Sequence, residues 1–505
     1  MIRIETEGDI ERLRQVALLQ QAENLRLHKR LLQLTQELAL ARGEDAIGAI
    51  QEELAFPKEQ LDARDRELFA ASSEKRARDK SGDAPGNGTT ERTGHGRREQ
   101  LSLPRIDVVH VLDEADEACP KCGGGLEPWE GQYEDSEEID VVERSFRIVR
   151  HRRQKYTCRC GECIETALGP RKLIAGGRYS VDFAVSVAVA KYADHLPLAR
   201  QVKQMARDGL VVDTQTLWDQ LHALSAHLEA TYEALWREVL GSEVVLADET
   251  QWPLLDKPGS SKWFAWSAAS EKGVAYRILK SRSAEAARTV LVGFAGVLVT
   301  DGYAAYQTMR DALARERAGA PPIVLAHCWA HVRRKFHDAE PAWPQAAEML
   351  DLIAKLYAVE REVSELAGEE RLTGLAELRR ERSKPIVDEI KAWLVGHAAL
   401  PRSGLGKAIG YALSLWDGLV RFVDDARIPI DTNLVERGMR PVAVGRKNHY
   451  GSKSERGTRV AALLYTLIES AKHAGVEPAG YLAEATRRAI DNPGTVTLPR
   501  DLASA

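Results

Sequence analysis

A regular succession of strand and helix patterns between residues 241 and 337 most strongly constrains how this chain can fold. Three apolar or alternating runs typical of strands come first, and they are followed by a helix, a strand, a helix, a strand and a last helix. In chain order the runs are SEVVLADET, SKWFAWSAAS, VAYRILKS, AEAARTVLVGF, GVLVTDGY, YAAYQTMRDALARE, PPIVLAHC and WAHVRRKFHD. The pattern predicts an α/β core in which helices cover a sheet.

This order of elements is that of the ribonuclease-H-like fold, so residues 241–337 are interpreted as the first part of such a core. Residues 338–428 are almost wholly helical in pattern and are interpreted as a large helical insertion. Residues 429–482 would complete the core, and residues 483–505 would form a C-terminal tail. With 505 residues the chain is too long for one ordinary core, so additional domains are expected before it.

The N-terminal part of the chain predicts a long helix and a linker. Residues 1–76 carry apolar positions at a and d spacing, which indicates a leucine-rich coiled-coil helix. A helix that packs on its own domain explains the same pattern, so the pattern leaves the oligomeric state open. Residues 77–104 are rich in Gly and Arg and lack an apolar period, which predicts a flexible basic linker.

Cysteine spacing predicts a zinc-binding domain over residues 105–170. Five of the six cysteines lie in this range, Cys119 and Cys122 in CPKCGGGL and Cys158, Cys160 and Cys163 in YTCRCGEC. Two such knuckles can supply four thiolates to zinc, and the C-x2-C spacing favours Cys160 and Cys163, with Cys158 as the alternative ligand. Four thiolates leave no open position for chemistry, so the zinc would be structural. Scattered core cysteines are the competing interpretation.

A basic run lies between the two knuckles. The stretch RSFRIVRHRRQKYTCR contains no acidic residue and includes Arg150, Arg152 and Arg153. It predicts a ribbon that contacts DNA phosphates, although a solvated strand face has the same composition.

Residues 171–240 are predicted to be helical. The segment PLARQVKQMARDGLVVDTQTLWDQLHAL has the order helix, glycine-containing turn, helix. It fits a helix-turn-helix motif whose second helix, from Asp213, enters a DNA groove. It equally fits a helical hairpin that only packs.

Two acidic residues, Asp248 and Asp301, each follow an apolar strand pattern. If these strands are neighbours, both carboxylates emerge at one edge of the sheet, where functional residues of α/β folds collect. Like charges in such a position favour a divalent cation between them, and carboxylate oxygens suit Mg²⁺ or Mn²⁺. Ordinary turn chemistry is the alternative for both stretches.

The stretch IDTNLVERGMRPVAVGRKNHYGSK places one carboxylate, Glu436, among cationic side chains. A helix up to Arg440 would put Glu436, Arg437 and Arg440 on one face, so that the carboxylate completes a metal site beside phosphate-binding arginines. The loop expected after Pro441 offers Arg446 and Lys447 as further DNA contacts. A capping box, with Asn433 as N-cap and Glu436 at N3, explains the same residues without a metal.

The net charge and the apolar segments of the chain bear on DNA binding and on membrane insertion. The formal net charge of −5 gives no global signal for nucleic acid, so DNA binding must come from local patches. The segment IVLAHCWAHV is too short to cross a membrane, and no secretory signal opens the chain. An intracellular protein without a membrane partner is expected.

The chain resembles the DDE transposases of insertion-sequence family 66, from FAASSEKR to about Leu482. The matching stretches are FAASSEKR, CPKCGGGL, RHRRQKYTCRC, KYADHLPLARQ, LADET, VTDGYAAY, CWAHVRRKF and IDTNLVERGMRPVAVGRKNHY. The resemblance implies that Asp248, Asp301 and Glu436 are the catalytic acids and hold two Mg²⁺ ions. Two departures are Thr432, where the family usually has a second Asn, and the cysteine spacing of CRCGEC.

The function implied by the resemblance is that of a bacterial transposase. It would bind the terminal inverted repeats of an insertion sequence and catalyse metal-dependent DNA cleavage and strand transfer. The family implies a homodimer or higher oligomer in the synaptic complex, accessory proteins of the same element, and a location at the bacterial nucleoid in the cytoplasm. Two alternatives are a ribonuclease-H-like nuclease without strand transfer and a catalytically silent DNA-binding regulator.

Overall fold

A computed structural model describes residues 145–157, 164–255, 261–316, 322–363, 365–397 and 399–503. The predicted N-terminal helix, the basic linker and the five clustered cysteines lie outside these residues. Among the described helices, none combines the length and the hydrophobicity needed to cross a bilayer.

The described part of the chain contains a small two-stranded sheet and a larger five-stranded sheet. The strands are β1 (Lys155–Thr157), β2 (Ile164–Thr166), β3 (Val244–Leu254), β4 (Ser261–Ser270), β5 (Gly273–Leu279), β6 (Gly296–Thr300) and β7 (Ile323–His327). The helices up to the end of the sheet are α1 (Val181–Tyr192), α2 (Leu198–Arg207), α3 (Thr214–Leu240), α4 (Ala284–Val290), α5 (Ala304–Glu316) and α6 (Trp329–Ala339). The predicted succession of strands and helices over residues 241–337 is confirmed.

The remaining helices follow the sheet. They are α7 (Ala346–Glu362), α8 (Gly368–Leu378), α9 (Lys384–Gly396), α10 (Gly404–Ser414), α11 (Trp416–Leu419), α12 (Arg421–Asp424), α13 (Asn433–His449), α14 (Glu455–His473) and α15 (Pro478–Asp491). A π-helical segment, Arg379–Ser383, joins α8 to α9, and a 3-10 helix covers Pro499–Leu502. The predicted helical character of residues 338–428 is therefore confirmed.

The five-stranded sheet is mixed, with the strand order β5-β4-β3-β6-β7. Strand β3 pairs antiparallel with β4 and β4 with β5, whereas β3 pairs parallel with β6 and β6 with β7. The parallel register places Leu246 opposite Val299. The parallel pairing ends at this position, two residues before Asp248 on β3 and two residues before Asp301 after β6.

Helix α14 covers β5, the outer strand on one side of the five-stranded sheet. Thr466 Oγ1 accepts the N–H of Tyr276 at 2.9 Å, and Ser470 Oγ accepts the N–H of Val274 at 3.0 Å and donates to its carbonyl at 2.8 Å. Hydroxyl groups from the helix thus satisfy backbone groups that an edge strand would otherwise offer to another chain. Helix α14 is buried on nearly every side along its central part.

Helices α1 to α3 share one hydrophobic core with the sheet, α14 and α15. The order helix, turn, helix predicted around Asp213 is confirmed, and Asp213 caps α3 by accepting the N–H of Thr216 at 2.6 Å. One face of α3 is buried along its whole length, and Tyr232 donates from its hydroxyl to the carbonyl of Tyr276 at 2.8 Å. This hairpin packs as part of the core, and its DNA binding stays a prediction.

The C-terminal residues differ from the predicted tail. The expected boundary at 482/483 falls inside α15, which packs on α1 and α3. The hydroxyl of Tyr481 in α15 donates to the carbonyl of Thr497, which lies beyond this helix, at 2.9 Å. Tyr481 and Leu482 are buried because the chain end closes the core over α3.

Helix α13 runs through Pro441, which corrects the prediction of a loop after this residue. Buried Val435, Met439 and Val442 hold the helix against the sheet, so packing outweighs the backbone hydrogen bond that proline removes. A Cβ at Gly445 would lie 2.0 Å from the hydroxyl of Tyr465, and only glycine permits this approach. This glycine therefore lets the second half of α13 pack closely against α14.

Candidate active site

Asp248 lies inside β3, whereas Asp301 directly follows β6. The prediction that both residues follow a strand is therefore wrong for Asp248, because β3 continues to Leu254 in its antiparallel pairing with β4. Parallel pairing of β3 with β6 stops at Leu246, so Asp248 sits where these two strands separate. Asp248 and Asp301 still lie at the same end of the sheet, where β3 and β6 separate.

The environment of Asp248 is buried and negative. Burial is the main cause that raises the pKa of its carboxyl group to about 7. The carboxylates of Glu249, Asp301 and Glu436 raise the pKa in the same direction, and the backbone N–H of Glu249, which donates to Asp248 Oδ1 at 2.8 Å, opposes them. The charge influence of Asp301 and Glu436 means that three elements, β3, β6 and α13, bring carboxylates together here.

The helical insertion supports the loop that carries Asp301. The backbone N–H of Tyr303 donates to Asp301 Oδ1 at 2.8 Å, and the hydroxyl of Tyr411 on α10 donates to the Asp301 carbonyl. Gly302 has a φ of +85°, and a Cβ there would meet the side chain of Leu415. The turn after β6 thus requires glycine and is braced by residues of the insertion.

Glu436 lies in the first turn of α13, but not in the capping box considered for it. Thr432 is the N-cap, and Asn433 is the first residue of the helix. The N–H of Thr432 donates to Cys328 Sγ at 3.2 Å, so it does not reach the carboxylate as a capping box requires. The Thr432 hydroxyl lies 3.1 Å from Glu436 Oε1. The Glu436 carboxylate is therefore held at the sheet edge.

Cys328, the N-cap of α6, and His331, in the first turn of α6, lie against Glu436. Cys328 Sγ, a ring nitrogen of His331 and a Glu436 oxygen all lie within 4.8 Å of one another, and His331 Nδ1 is 3.8 Å from Glu436 Oε1. Burial raises the pKa of the Cys328 thiol to about 11, so it stays protonated at neutral pH. Within the described residues no other group of three potential ligands is this close, so the three acids are more widely spaced.

The neighbour of Asp248, Glu249, is fully occupied by other side chains. Glu249 Oε1 accepts from Arg282 at 2.8 Å and 2.7 Å, and Oε2 accepts from the hydroxyl of Tyr306 at 2.7 Å. Its side chain is 1% exposed. Of the two acids in the LADET stretch, Asp248 is consequently the one available to a ligand.

Helix α13 presents a cationic stripe to solvent. Arg437, Arg440 and Lys447 are exposed along it, and Glu436 lies half-buried beside them. Arg446 does not join the stripe, because its guanidinium donates to Thr250 Oγ1 at 2.8 Å and to the carbonyl of Gln251. The predicted role of Arg446 as a DNA contact is corrected to a link between α13 and β3.

The basic run before the small sheet is exposed as predicted. Arg150, Arg152 and Arg153 are open to solvent, and Arg153 Nε donates to the carbonyl of Ala167 at 2.6 Å. Exposure fits both interpretations of this run, so DNA contact stays a prediction.

Comparison with known protein families identifies the chain. The sequence model described as "Transposase IS66 family" matches residues 176–460, which include all three acids and the helical insertion. The chain belongs to the IS66 transposase family. A second model, the "zinc-finger binding domain of transposase IS66", matches residues 116–161 and supports a structural zinc in this IS66 transposase.

Relatives of the transposase occur in Sinorhizobium fredii (strain NBRC 101917 / NGR234). The uncharacterized protein y4jD is 34% identical over 78% of this chain and 78% of its own length. The uncharacterized protein y4qI is 35% identical over 81% of this chain and 76% of its own length. The uncharacterized protein y4hP is 27% identical over 89% of this chain and 84% of its own length.

The sequence did not single out Cys328, Glu249 or Arg282 as parts of the site. Cys328 and His331 are three residues apart in CWAH, a spacing that places both side chains on one turn of a helix. That spacing could have drawn attention to Cys328. The pairing of Glu249 with Arg282 carries no local signal, because it joins a residue of β3 to a residue of the loop after β5, 33 positions away.

Proposed function

We propose that this IS66 transposase binds the terminal inverted repeats of an insertion sequence and catalyses metal-dependent cleavage and strand transfer of DNA. The proposal is supported by the placement of the three acids: Asp248 lies in β3, Asp301 directly follows the neighbouring strand β6, and Glu436 lies in the first turn of α13, which packs on β3. The negative charges of Asp301 and Glu436 also raise the pKa of Asp248. Like charges that are held close together cost folding free energy, and such an arrangement is typical of functional sites.

The strand order supports a ribonuclease-H-like core. Three antiparallel strands are followed by two strands that run parallel to the first, and the first strand lies at the centre of the sheet. Helix α13, which bears Glu436, lies on β3 and β4 after the long insertion. The sheet and α13 are therefore assigned together to one catalytic core that the insertion interrupts.

The three acids fit divalent metal ions of the Mg²⁺ or Mn²⁺ type. Their donor atoms are hard carboxylate oxygens, which these cations prefer. The resemblance to the family implies two such ions, which three carboxylates can share in phosphodiester chemistry. When bound, such ions supply Lewis acidity and neutralise charge on the phosphate.

The residues of the chain position the DNA for two successive phosphoryl transfers. In the first, water forms a bond to phosphorus and the bond to the 3′ oxygen breaks, which leaves a 3′-OH. In the second, this 3′-OH attacks a phosphodiester of target DNA, so one bond forms and one breaks without an added energy source. Arg437 and Arg440 would bind phosphates beside Glu436 and stabilise the negative charge that develops.

Strand-transfer products decide between this function and its alternatives. Purified protein, duplex DNA carrying the inverted repeat that flanks the coding region, and Mg²⁺ are expected to yield both nicked and integrated products. Nicked products alone would favour a nuclease without strand transfer. DNA binding without metal-dependent chemistry would favour a silent regulator.

Partners follow from the same proposal. We propose that the transposase assembles as a homodimer or higher oligomer on its DNA ends at the bacterial nucleoid, together with accessory proteins of the same element. Crosslinking of the protein with and without paired DNA ends tests the assembly.

The cationic stripe of α13 is predicted to contact the DNA backbone. Replacing both Arg437 and Arg440 with Gln is expected to weaken DNA binding and to lower the slope of log K against log salt by about 0.9 for each lost phosphate contact. Fluorescence anisotropy over a range of KCl concentrations measures the slope. Arg488→Gln is the matched control, since Arg488 lies on α15 and pairs with Glu484 at 2.7 Å; an unchanged slope in the double variant would remove the stripe from the interface.

Zinc content tests the cysteine assignment. Cys119→Ser and Cys122→Ser are each expected to lose the bound zinc, because thiolate ligation holds it. Metal analysis of the purified chain gives the readout, and Cys328→Ser is the control that keeps the zinc. Comparing Cys158→Ser, Cys160→Ser and Cys163→Ser identifies the two ligands of the second knuckle. Full zinc in Cys119→Ser would contradict the assignment.

A further inference from the structure

We propose that Arg282 binds a DNA phosphate at the catalytic edge of the sheet and that Glu249 and Tyr303 hold its guanidinium in place for this contact. The inference rests on the proposed function and adds a contact outside α13. Arg282 follows β5 and lies in the loop before α4.

The guanidinium of Arg282 is fixed from two sides. Its Nε and Nη2 donate to Glu249 Oε1 at 2.8 Å and 2.7 Å, and its plane lies 4.0 Å from the ring centroid of Tyr303. The hydroxyl of Tyr303 donates in turn to the Arg282 carbonyl at 2.9 Å. A guanidinium held in this way loses little conformational entropy when it binds an anion.

The position of Arg282 links it to two catalytic acids. Glu249 is the chain neighbour of Asp248, and Tyr303 donates its N–H to Asp301 at 2.8 Å. Glu249 points to the other face of β3 from Asp248, because side chains alternate along a strand. Arg282 therefore lies on the face of the sheet opposite to Glu436 and α13.

The exposure of the pair argues against a purely structural ion pair. The Glu249 side chain is 1% exposed, but that of Arg282 is 42% exposed. A guanidinium has five N–H donors, and no described residue other than Glu249 accepts from those of Arg282. Because Arg282 is partly exposed, its remaining donors are available for planar bidentate binding of a phosphate.

The matched control is another arginine and glutamate pair close by. Arg288 on α4 pairs with Glu316 at 2.8 Å, and both side chains are exposed at 38% and 49%. This pair joins α4 to the end of α5. It has the same chemistry as Arg282 and Glu249 without a buried carboxylate partner.

The test compares salt dependence of binding to duplex DNA carrying the flanking inverted repeat, with Ca²⁺ in place of Mg²⁺. The double variant Glu249→Gln, Arg282→Gln removes the cation without leaving a buried charge unpaired. We expect its log K against log salt slope to fall by about 0.9 and its affinity at low salt to fall about 10-fold. Arg282→Lys is expected to keep the slope and lose affinity, and Arg288→Gln to match the wild type.

A wild-type slope and affinity in the folded double variant would overturn the proposal and leave Arg282 as the counterion of Glu249 only. Thermal melting confirms that each variant is folded. If the single Arg282→Gln variant does not fold, the double variant still decides the question. A wild-type protein that neither cleaves nor joins DNA would instead overturn the proposed function, so the two failures are distinguishable.

Discussion

Asp248→Asn, Asp301→Asn and Glu436→Gln are each expected to lower Mg²⁺-dependent DNA cleavage and strand transfer by about 1,000-fold or more. Each change removes a charged ligand from the group of acids, and metal ions provide several kcal/mol of transition-state stabilisation. Gel assays of cleavage and joining on duplex DNA carrying the inverted repeat measure the loss. Glu243→Gln is the control, because Glu243 is exposed and pairs with Arg427 just before β3.

A second measurement separates a functional role of Asp248 from a structural one. Asp248 is partly buried among like charges, so Asp248→Asn is expected to keep or raise the melting temperature in metal-free buffer while activity is lost. If the Asp248 carboxylate were structural, Asp248→Asn would instead lower the melting temperature and keep residual activity. Activity close to that of the wild type in Asp248→Asn or Glu436→Gln would refute the assignment of the acids.

Arg379→Met is expected to destabilise the protein by about 3–5 kcal/mol, because it breaks a buried ion pair and leaves acceptors without a donor. Arg379 is 1% exposed, and its Nε and Nη2 donate to Glu360 at 2.8 Å and 2.7 Å. Its Nη1 also donates to three backbone carbonyls, those of Phe422 at 2.7 Å, Asp425 at 3.2 Å and Ile428 at 3.0 Å. Urea denaturation followed by tryptophan fluorescence measures the change.

The chain offers a close control for Arg379. Arg382, three residues later, pairs with Glu362 at 2.6 Å, but both side chains are nearly half exposed. Arg382→Met is therefore expected to cost about 0–1 kcal/mol. The double variant Arg379→Met, Glu360→Gln should recover part of the loss, since no buried charge is left unpaired. Equal effects of Arg379→Met and Arg382→Met would contradict the structural role of the buried guanidinium.

Arg379 also links the insertion to the catalytic edge. The carbonyls that it binds belong to the segment that leads into α13, and Ile430 in this segment accepts the N–H of Trp329 at 3.0 Å. Loosening this segment would move the N-cap Thr432 and with it Glu436. Arg379→Met is thus expected to reduce activity as well as stability, whereas Asp248→Asn separates the two properties.

The sequence by itself determined the order of strands and helices and drew attention to the three acidic residues. Period-two and 3.6-residue patterns report which residues are buried along a short stretch, so the order of strands and helices over residues 241–337 was predictable. Asp248, Asp301 and Glu436 were found because each stands at a local change of pattern, and the resemblance to the family assigned them one role.

Only the tertiary structure decided how side chains distant in sequence are used. Arg446 binds Thr250, which is 196 positions away, and helix α13 continues through Pro441 because Val442 and Gly445 pack against the rest of the core. Glu249 is paired with Arg282, so of the two neighbouring acids Asp248 and Glu249 only Asp248 is available to a ligand. Local patterns cannot specify such partners, because burial and charge pairing are fixed by the register of the sheet and by the helices packed on it.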